Sequence, residues 1–92
     1  MLEAPVTSEA DGRVLIERLE ARAASFPPSI RESFLLDSSD GGRWRALTVW
    51  NSAAALADYR ASVDTPEGVL MFRSVGVEPE LGVFDVVVHA AH

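Results

Sequence analysis

Few side chains in this sequence could do chemistry, and each of them has a structural alternative. Tyr59 lies in an apolar helical stripe, so its phenol could donate a hydrogen bond to a ligand or pack in the core. Asp85 stands between Phe84 and Val86, where burial would raise the pKa of its carboxyl; the alternative is an exposed edge position or an ion pair with Arg43 or Arg45 across the sheet. The two histidines lie within the last four residues without a second ligand at metal spacing, which predicts a solvated tail.

The composition excludes several classes of site. The 92 residues contain no cysteine and no lysine, which removes thiol nucleophiles, disulfides, thiolate metal sites and Schiff-base chemistry. No nucleotide loop or nucleophile elbow is present, so we expect no cofactor. A net charge of -6 disfavours binding to nucleic acids and to anionic membrane surfaces. With no membrane-spanning run and no signal-peptide pattern, the expected location is the cytoplasm.

The length allows one domain over residues 1–92, and its pattern predicts two helices among strands. Residues 1–7 predict a short or frayed first strand, because a proline stands within it. A helix is expected from Ser8, with a buried stripe of Ile16, Leu19, Ala23 and Phe26, and it ends at Pro27 and Pro28. Strands are expected at 30–37 and 43–50, joined by an Asp-Gly turn into an antiparallel hairpin.

The second half of the chain predicts a helix, a further helical piece and a last strand. Asn51 or Ser52 should cap the helix, and Thr65 should cap the piece that runs to about Ser74. The last strand is expected from Val83 to His89. The resulting β-α-β-β-α-β order predicts an α+β fold of the ferredoxin-like split βαβ type, with two helices on one face of an antiparallel sheet.

The predicted strands carry bulky apolar side chains on both faces, although two helices can cover only one face. Phe34 and Leu36 alternate with Leu35, and Leu47 and Val49 alternate with the two tryptophans. An exposed apolar sheet face is unfavourable in a soluble monomer. We therefore expect a homodimer in which the open sheet face of each copy covers that of the other.

One known family resembles this pattern. The segment from Leu36 to Gly42, followed by a strand that ends Val49-Trp50-Asn51-Ser52, resembles the S-x-D-G … W-x-S signature of antibiotic biosynthesis monooxygenase domains. The resemblance extends from about Ser8 to His89 and implies a dimeric α+β barrel. It also implies a cofactor-independent monooxygenase that acts on an aromatic or polyketide-type substrate, whose own anion delivers an electron to oxygen. The family includes members with no demonstrated activity, so a non-catalytic ligand-binding or assembly module on the same fold is the alternative.

The resemblance also implies roles for individual residues. Trp50 matches the tryptophan at the family's strand-to-helix junction, where the indole N–H can hold a substrate oxygen. Tyr59 and Arg73 would then stabilise the substrate anion as the remaining catalytic residues. The substrate-binding side chains of the pocket would be Trp44, Leu56 and Phe72.

Three positions depart from the family's pattern. Ala46 stands where quinone-forming relatives place an asparagine, and Leu56 stands where they place a tyrosine, so two polar substrate contacts are absent. Tyr59 matches the second aromatic residue of heme-degrading relatives. Val69 replaces their histidine, however, and without an axial ligand heme degradation is not expected.

Overall fold

The computed structural model describes residues 1–38 and 42–91. Within them, the elements in chain order are β1 (Leu2–Pro5), α1 (Glu9–Ala23), β2 (Ile30–Asp37), β3 (Arg43–Trp50), α2 (Ala53–Ser62), α3 (Glu67–Arg73) and β4 (Glu80–Leu81). The strands form one sheet of order β2-β3-β1-β4, and every described pair is antiparallel. This α+β arrangement is compatible with a ferredoxin-like fold.

The β2–β3 hairpin has the bounds that the sequence predicts. Its register pairs Leu35 with Ala46 and Asp37 with Trp44. The predicted Asp-Gly turn between the two strands involves residues 39–41, which lie outside the described residues. The short first strand is also confirmed: β1 lies in the interior of the sheet, between β3 and β4.

Helix α1 begins where the sequence predicts, because Ser8 caps it. The Ser8 hydroxyl accepts a hydrogen bond from the backbone N–H of Asp11 at 3.3 Å. Helix α2 is capped in the same way, since the Ser52 hydroxyl accepts from the N–H of Ala55 at 3.0 Å. Both helix starts therefore follow from local side-chain chemistry.

The predicted buried stripe of α1 is wrong for Ile16 and Ala23, which are exposed, while Leu19 and Phe26 are half-buried. Leu15 is fully buried, whereas Ile16 is 42% exposed. The cause is a close approach between α1 and β3: a Cβ atom on Gly12 would lie 2.7 Å from Cζ2 of Trp44. Because only glycine allows this contact, the helix turns its Gly12 and Leu15 side toward the sheet. Leu19 belongs to both stripes and packs against the core as predicted.

The further helical piece is a separate helix, α3, and its predicted cap is wrong. No side chain at its N-cap position, Pro66, caps it, and Thr65 is not the acceptor. The Tyr59 hydroxyl on α2 instead accepts a hydrogen bond from the N–H of Glu67 at 3.0 Å. The stop near Gly76 is confirmed, because that glycine adopts a φ of 81° in the left-handed region.

The predicted last strand from Val83 to His89 is wrong. The paired part, β4, covers only Glu80 and Leu81, and the ladder ends where Gly82 and Met1 exchange backbone hydrogen bonds of 2.7 and 2.5 Å. Residues 83–91 form neither helix nor strand. The physical reason is that no described strand lies beside residues 83–91, and a strand forms only where another backbone pairs with it.

The core lies between the helices and one face of the sheet. Its buried members are Leu2, Ala4, Val6, Leu15, Ala46, Val69, Met71 and Phe72. Since side chains alternate along a strand, the opposite face, here called the open face, presents Glu3, Arg43, Arg45, Phe34, Leu36, Leu47 and Val49. Among the described residues, no helix combines the length and apolar character that crossing a membrane requires.

Candidate functional site

The structure brings Trp50 and Tyr59 together. Trp50 ends β3 and Tyr59 lies on α2, with ring centroids 5.0 Å apart and planes inclined by 37°. The junction between strand and helix is held by Asn51, whose backbone N–H donates to the Ser29 carbonyl at 2.9 Å. Its side-chain amide also donates to the Pro28 carbonyl at 2.6 Å. These bonds fix the point at which the chain turns from β3 toward α2.

The Tyr59 hydroxyl already has a structural role. Its oxygen accepts the N–H of Glu67, which satisfies one of the free donors at the start of α3. A phenol can accept one hydrogen bond and donate another, so the proton of Tyr59 remains available to a ligand. The Trp50 indole N–H has no hydrogen-bond partner in the described part of the chain. The pair thus offers two donors beside two tilted rings in contact.

Arg73 is engaged elsewhere. Its Nε and Nη2 atoms donate to the two carboxylate oxygens of Glu78 at 2.7 and 2.8 Å, a bidentate pair on the surface. The hydrogen bond from Arg73 lowers the pKa of Glu78, and the same bond raises the pKa of Arg73. The guanidinium charge that was predicted to stabilise a substrate anion is therefore already paired.

The predicted pocket-lining residues do not converge on Trp50. Phe72 has no exposed surface and lies in the core, so it packs the fold rather than lining an open pocket. Leu56 is half-buried on α2. Trp44 lies on the same face of β3 as Trp50, but six residues along a strand separate them by roughly 20 Å. The two tryptophans therefore belong to different ends of the sheet.

A cleft of about 650 Å³ lies at the Trp44 end. It forms where the first turns of α1 meet the ends of β2 and β3, and Arg13, Ile16, Asp37 and Trp44 contribute to its walls. Neither Arg13 nor Asp37 makes an ion pair with any described residue. Two residues of the sequence indicate this cleft, Gly12 within α1 and Trp44 on β3. Trp44 was predicted to line a different pocket, the one beside Trp50.

The open face carries an ion-pair cluster formed by Glu3, Arg43 and Arg45. The Arg43 Nε atom lies 2.7 Å from Oε1 of Glu3, and the Arg45 Nε atom lies 3.4 Å from Oε2. The Arg43 hydrogen bond is the main reason that the pKa of Glu3 is lowered. Asp85 is exposed, as one of the predicted alternatives has it, and Arg43 and Arg45 pair with Glu3 and Glu80 rather than with Asp85.

Among the described residues, no three His, Cys, Asp or Glu side chains are grouped to hold a metal ion. His89 lies in the irregular segment after β4. The site residues thus fall into an aromatic pair at one end of β3, a cleft at the other, and a charged cluster on the open face. Comparisons with models of protein families, with curated proteins and with solved structures find no match, so any function must be argued from this geometry.

Proposed function

We propose that this chain is a non-catalytic assembly module whose ferredoxin-like split βαβ protomers pair as a dimeric α+β barrel. The observation that carries the proposal is the apolar surface of the open face. Phe34 and Leu36 are 42% and 46% exposed there, and Leu47 and Val49 stand beside them on β3. Burying such side chains against another protein surface is favourable by roughly 25 cal/mol per Å² of apolar area.

The charges of the open face favour a second copy as the covering surface. The face presents carboxylates from Glu3, Glu32 and Glu80 and guanidinium groups from Arg43 and Arg45, so its charges nearly cancel. The chain as a whole carries -6, so most of its negative charge lies on other surfaces. Two open faces can therefore approach each other without strong like-charge repulsion.

The side chains that were predicted to act in catalysis have structural roles instead, which also supports the non-catalytic proposal. Arg73 is neutralised by Glu78, the Tyr59 oxygen caps α3, and Phe72 is sealed in the core. Ala46 is buried on the helix-covered face, where quinone-forming relatives would place an amide. Catalysis generally depends on several polar groups converging on one pocket. Such convergence is lacking among the predicted site residues.

Light scattering after size-exclusion chromatography tests the proposal. The protein should elute as a dimer of about 20 kDa, twice the 9.9 kDa of the chain, at micromolar concentration. Phe34→Asp should dissociate it, because the charge would be buried unpaired in the interface opposite Leu47. Leu70→Asp is the matched control, since Leu70 on α3 is 47% exposed but lies away from the open face. A monomeric wild-type protein, or equal effects of the two variants, would contradict the proposal.

The Trp50–Tyr59 pair supports a second candidate function, that of a cofactor-independent monooxygenase. An aromatic or polyketide-type substrate could stack on the two rings while the Trp50 N–H and the Tyr59 O–H hold its oxygens. Ionisation of that substrate would then supply the electron for oxygen, and the chain itself would only bind and orient it.

Oxygen uptake on a panel of anthrones and hydroquinones tests this second function. Trp50→Phe removes the indole N–H and should lower turnover about 10- to 100-fold, the equivalent of one hydrogen bond in the transition state. Trp44→Phe, at the other end of β3, is the control and should leave turnover unchanged. The absence of uptake above a protein-free reaction, or equal turnover by wild type and Trp50→Phe, would contradict the monooxygenase function. The assembly module would then be the one proposed function that stands.

A further inference from the structure

The cleft beside Trp44, here called the Trp44 cleft, has a positive charge on its helix side and a negative charge on its sheet side. The helix side is one face of α1, because positions 12, 13 and 16 lie on the same side of a helix, and it carries Arg13. The sheet side carries Asp37, which is paired with Trp44 in the register of β2 and β3. Since paired residues point to the same face of a sheet, the Asp37 carboxylate stands beside the indole.

Both charges are free to bind a ligand. Arg13 lies four residues from Glu9 and four from Glu17, a spacing at which carboxylates and guanidinium groups pair along a helix. Neither pair forms, and Arg13 does not pair with Asp37 either, in the part of the chain that the structure describes. The two charges therefore line one cleft without neutralising each other.

The Trp44 cleft also offers apolar surface between these charges. Ile16 is 42% exposed on the cleft side of α1, and the Trp44 ring is partly exposed at the end of the sheet. The volume of about 650 Å³ lies within the range of roughly 300–1,000 Å³ that is typical of small-molecule sites. An apolar group of a ligand could thus be covered while its charged groups reach the two walls.

The arrangement of charges selects a class of ligand. A guanidinium group binds carboxylates through paired hydrogen bonds, and a carboxylate beside an indole ring favours an ammonium group. A ligand with only a negative charge would be repelled by Asp37, and one with only a positive charge would be repelled by Arg13. A ligand that carries both charges gains both attractions.

We propose that the Trp44 cleft binds a small zwitterion with an apolar group, which is the chemistry of a free amino acid with an apolar or aromatic side chain. Its carboxylate binds Arg13, its ammonium group binds Asp37, and its side chain packs against Trp44 and Ile16. The cleft lies on the helix-covered side of the sheet. The proposal therefore does not depend on a dimer formed through the open face.

Three probes that share a phenyl ring test the proposal: phenylalanine, phenethylamine, which lacks the carboxylate, and 3-phenylpropionate, which lacks the ammonium group. Binding is followed by the fluorescence of Trp44 in a Trp50→Phe background, since the chain has two tryptophans. Phenylalanine should bind about tenfold more tightly than either analogue, because each analogue loses one charge-assisted hydrogen bond. An analogue that binds as tightly as phenylalanine would overturn the proposal.

Two variants assign each charge of the ligand to its wall. Arg13→Gln should weaken phenylalanine about tenfold and leave phenethylamine no weaker, whereas Asp37→Asn should weaken phenylalanine and leave 3-phenylpropionate no weaker. Arg18→Gln and Asp58→Asn are the matched controls, because both residues are exposed outside the cleft, and they should leave all three affinities unchanged. Equal losses in the test and control variants would contradict the assignment.

Backbone amide chemical shifts of the wild-type protein give a second measurement that locates the ligand. Titration with phenylalanine should move the signals of Gly12, Arg13 and Trp44 most. Shifts centred on Trp50 and Tyr59 would mean that the ligand occupies the aromatic pair at the other end of β3, and the proposal would be wrong. The absence of shifts up to the solubility limit of phenylalanine would overturn it as well.

Discussion

The contact between Gly12 and Trp44 predicts that Gly12→Ala destabilises the protein although alanine is the better helix former. Gly12 lies within α1, and a Cβ atom there would meet Cζ2 and Cη2 of Trp44 at 2.7 and 2.9 Å. Ordinary contacts between carbon atoms begin at about 3.5 Å, so the indole or the helix must move by several tenths of an ångström.

Two opposing effects set the size of the change. Replacing a glycine inside a helix with alanine gains about 1 kcal/mol from helix propensity. Forcing an extra methyl against a packed ring costs typically 1–3 kcal/mol, and Trp44 is a rigid side chain in the middle of a sheet-to-helix contact. The net loss is then about 1 kcal/mol, which corresponds to a fall in Tm of about 4–8 °C for a domain of this size.

Gly68→Ala is the matched control for this prediction. A Cβ atom on Gly68 would also meet a neighbour at 2.7 Å, but that neighbour is the terminal Cδ1 methyl of Leu2, which can rotate away. Gly68→Ala should therefore be neutral or slightly stabilising in urea unfolding. In a Trp50→Phe background, the fluorescence emission of Trp44 alone reports whether its ring has moved. A Gly12→Ala protein that is more stable than its parent, with unchanged Trp44 emission, would refute the packing argument.

Three further changes probe single interactions. Tyr59→Phe keeps the ring contact with Trp50 but removes the acceptor of the Glu67 N–H, so it should lower the free energy of unfolding by about 0.5–1.5 kcal/mol in urea titrations; no change would mean that water replaces the hydroxyl. Ser52→Ala removes the cap of α2 and should cost about 0.5–2 kcal/mol, with Ser52→Asp retaining most of the stability. The lowered pKa of Glu3 means that its contribution is present above pH 4.5 and is lost as the pH falls through the folded-state value; Glu3→Gln should flatten the acid limb of the urea midpoint against pH, and an unaltered limb would contradict this.

The elements that the sequence predicts correctly depend on local chemistry. The alternation of apolar residues set the hairpin of β2 and β3, and the hydroxyls of Ser8 and Ser52 set the starts of two helices. The buried side of α1 depended instead on a contact between positions 12 and 44. Leu15 and Ile16 both recur at helical spacing with Leu19, so periodicity alone could not choose between them.

The residues of the candidate site divide in the same way, into those that local patterns predict and those whose contacts join distant parts of the sequence. The approach of Trp50 and Tyr59 followed from a strand end and a helix stripe. Arg73 pairs with Glu78 because of the path that the chain takes after α3, and no sequence pattern predicts that path. The cleft beside Trp44 forms between elements that are distant in the sequence, so its free charges, Arg13 and Asp37, could not be paired with it beforehand.

The prediction of a last strand from Val83 to His89 is wrong for a different physical reason. The residues from Val83 to Val88 have strand composition, but no described strand lies beside them. A bound small molecule could cover the open face, but it could not satisfy the backbone N–H and C=O groups of an unpaired strand along its length. A second copy would cover Phe34 and Leu36, as the proposed dimer requires. Strand composition alone therefore does not fix the last strand, because a strand forms only where another backbone pairs with it.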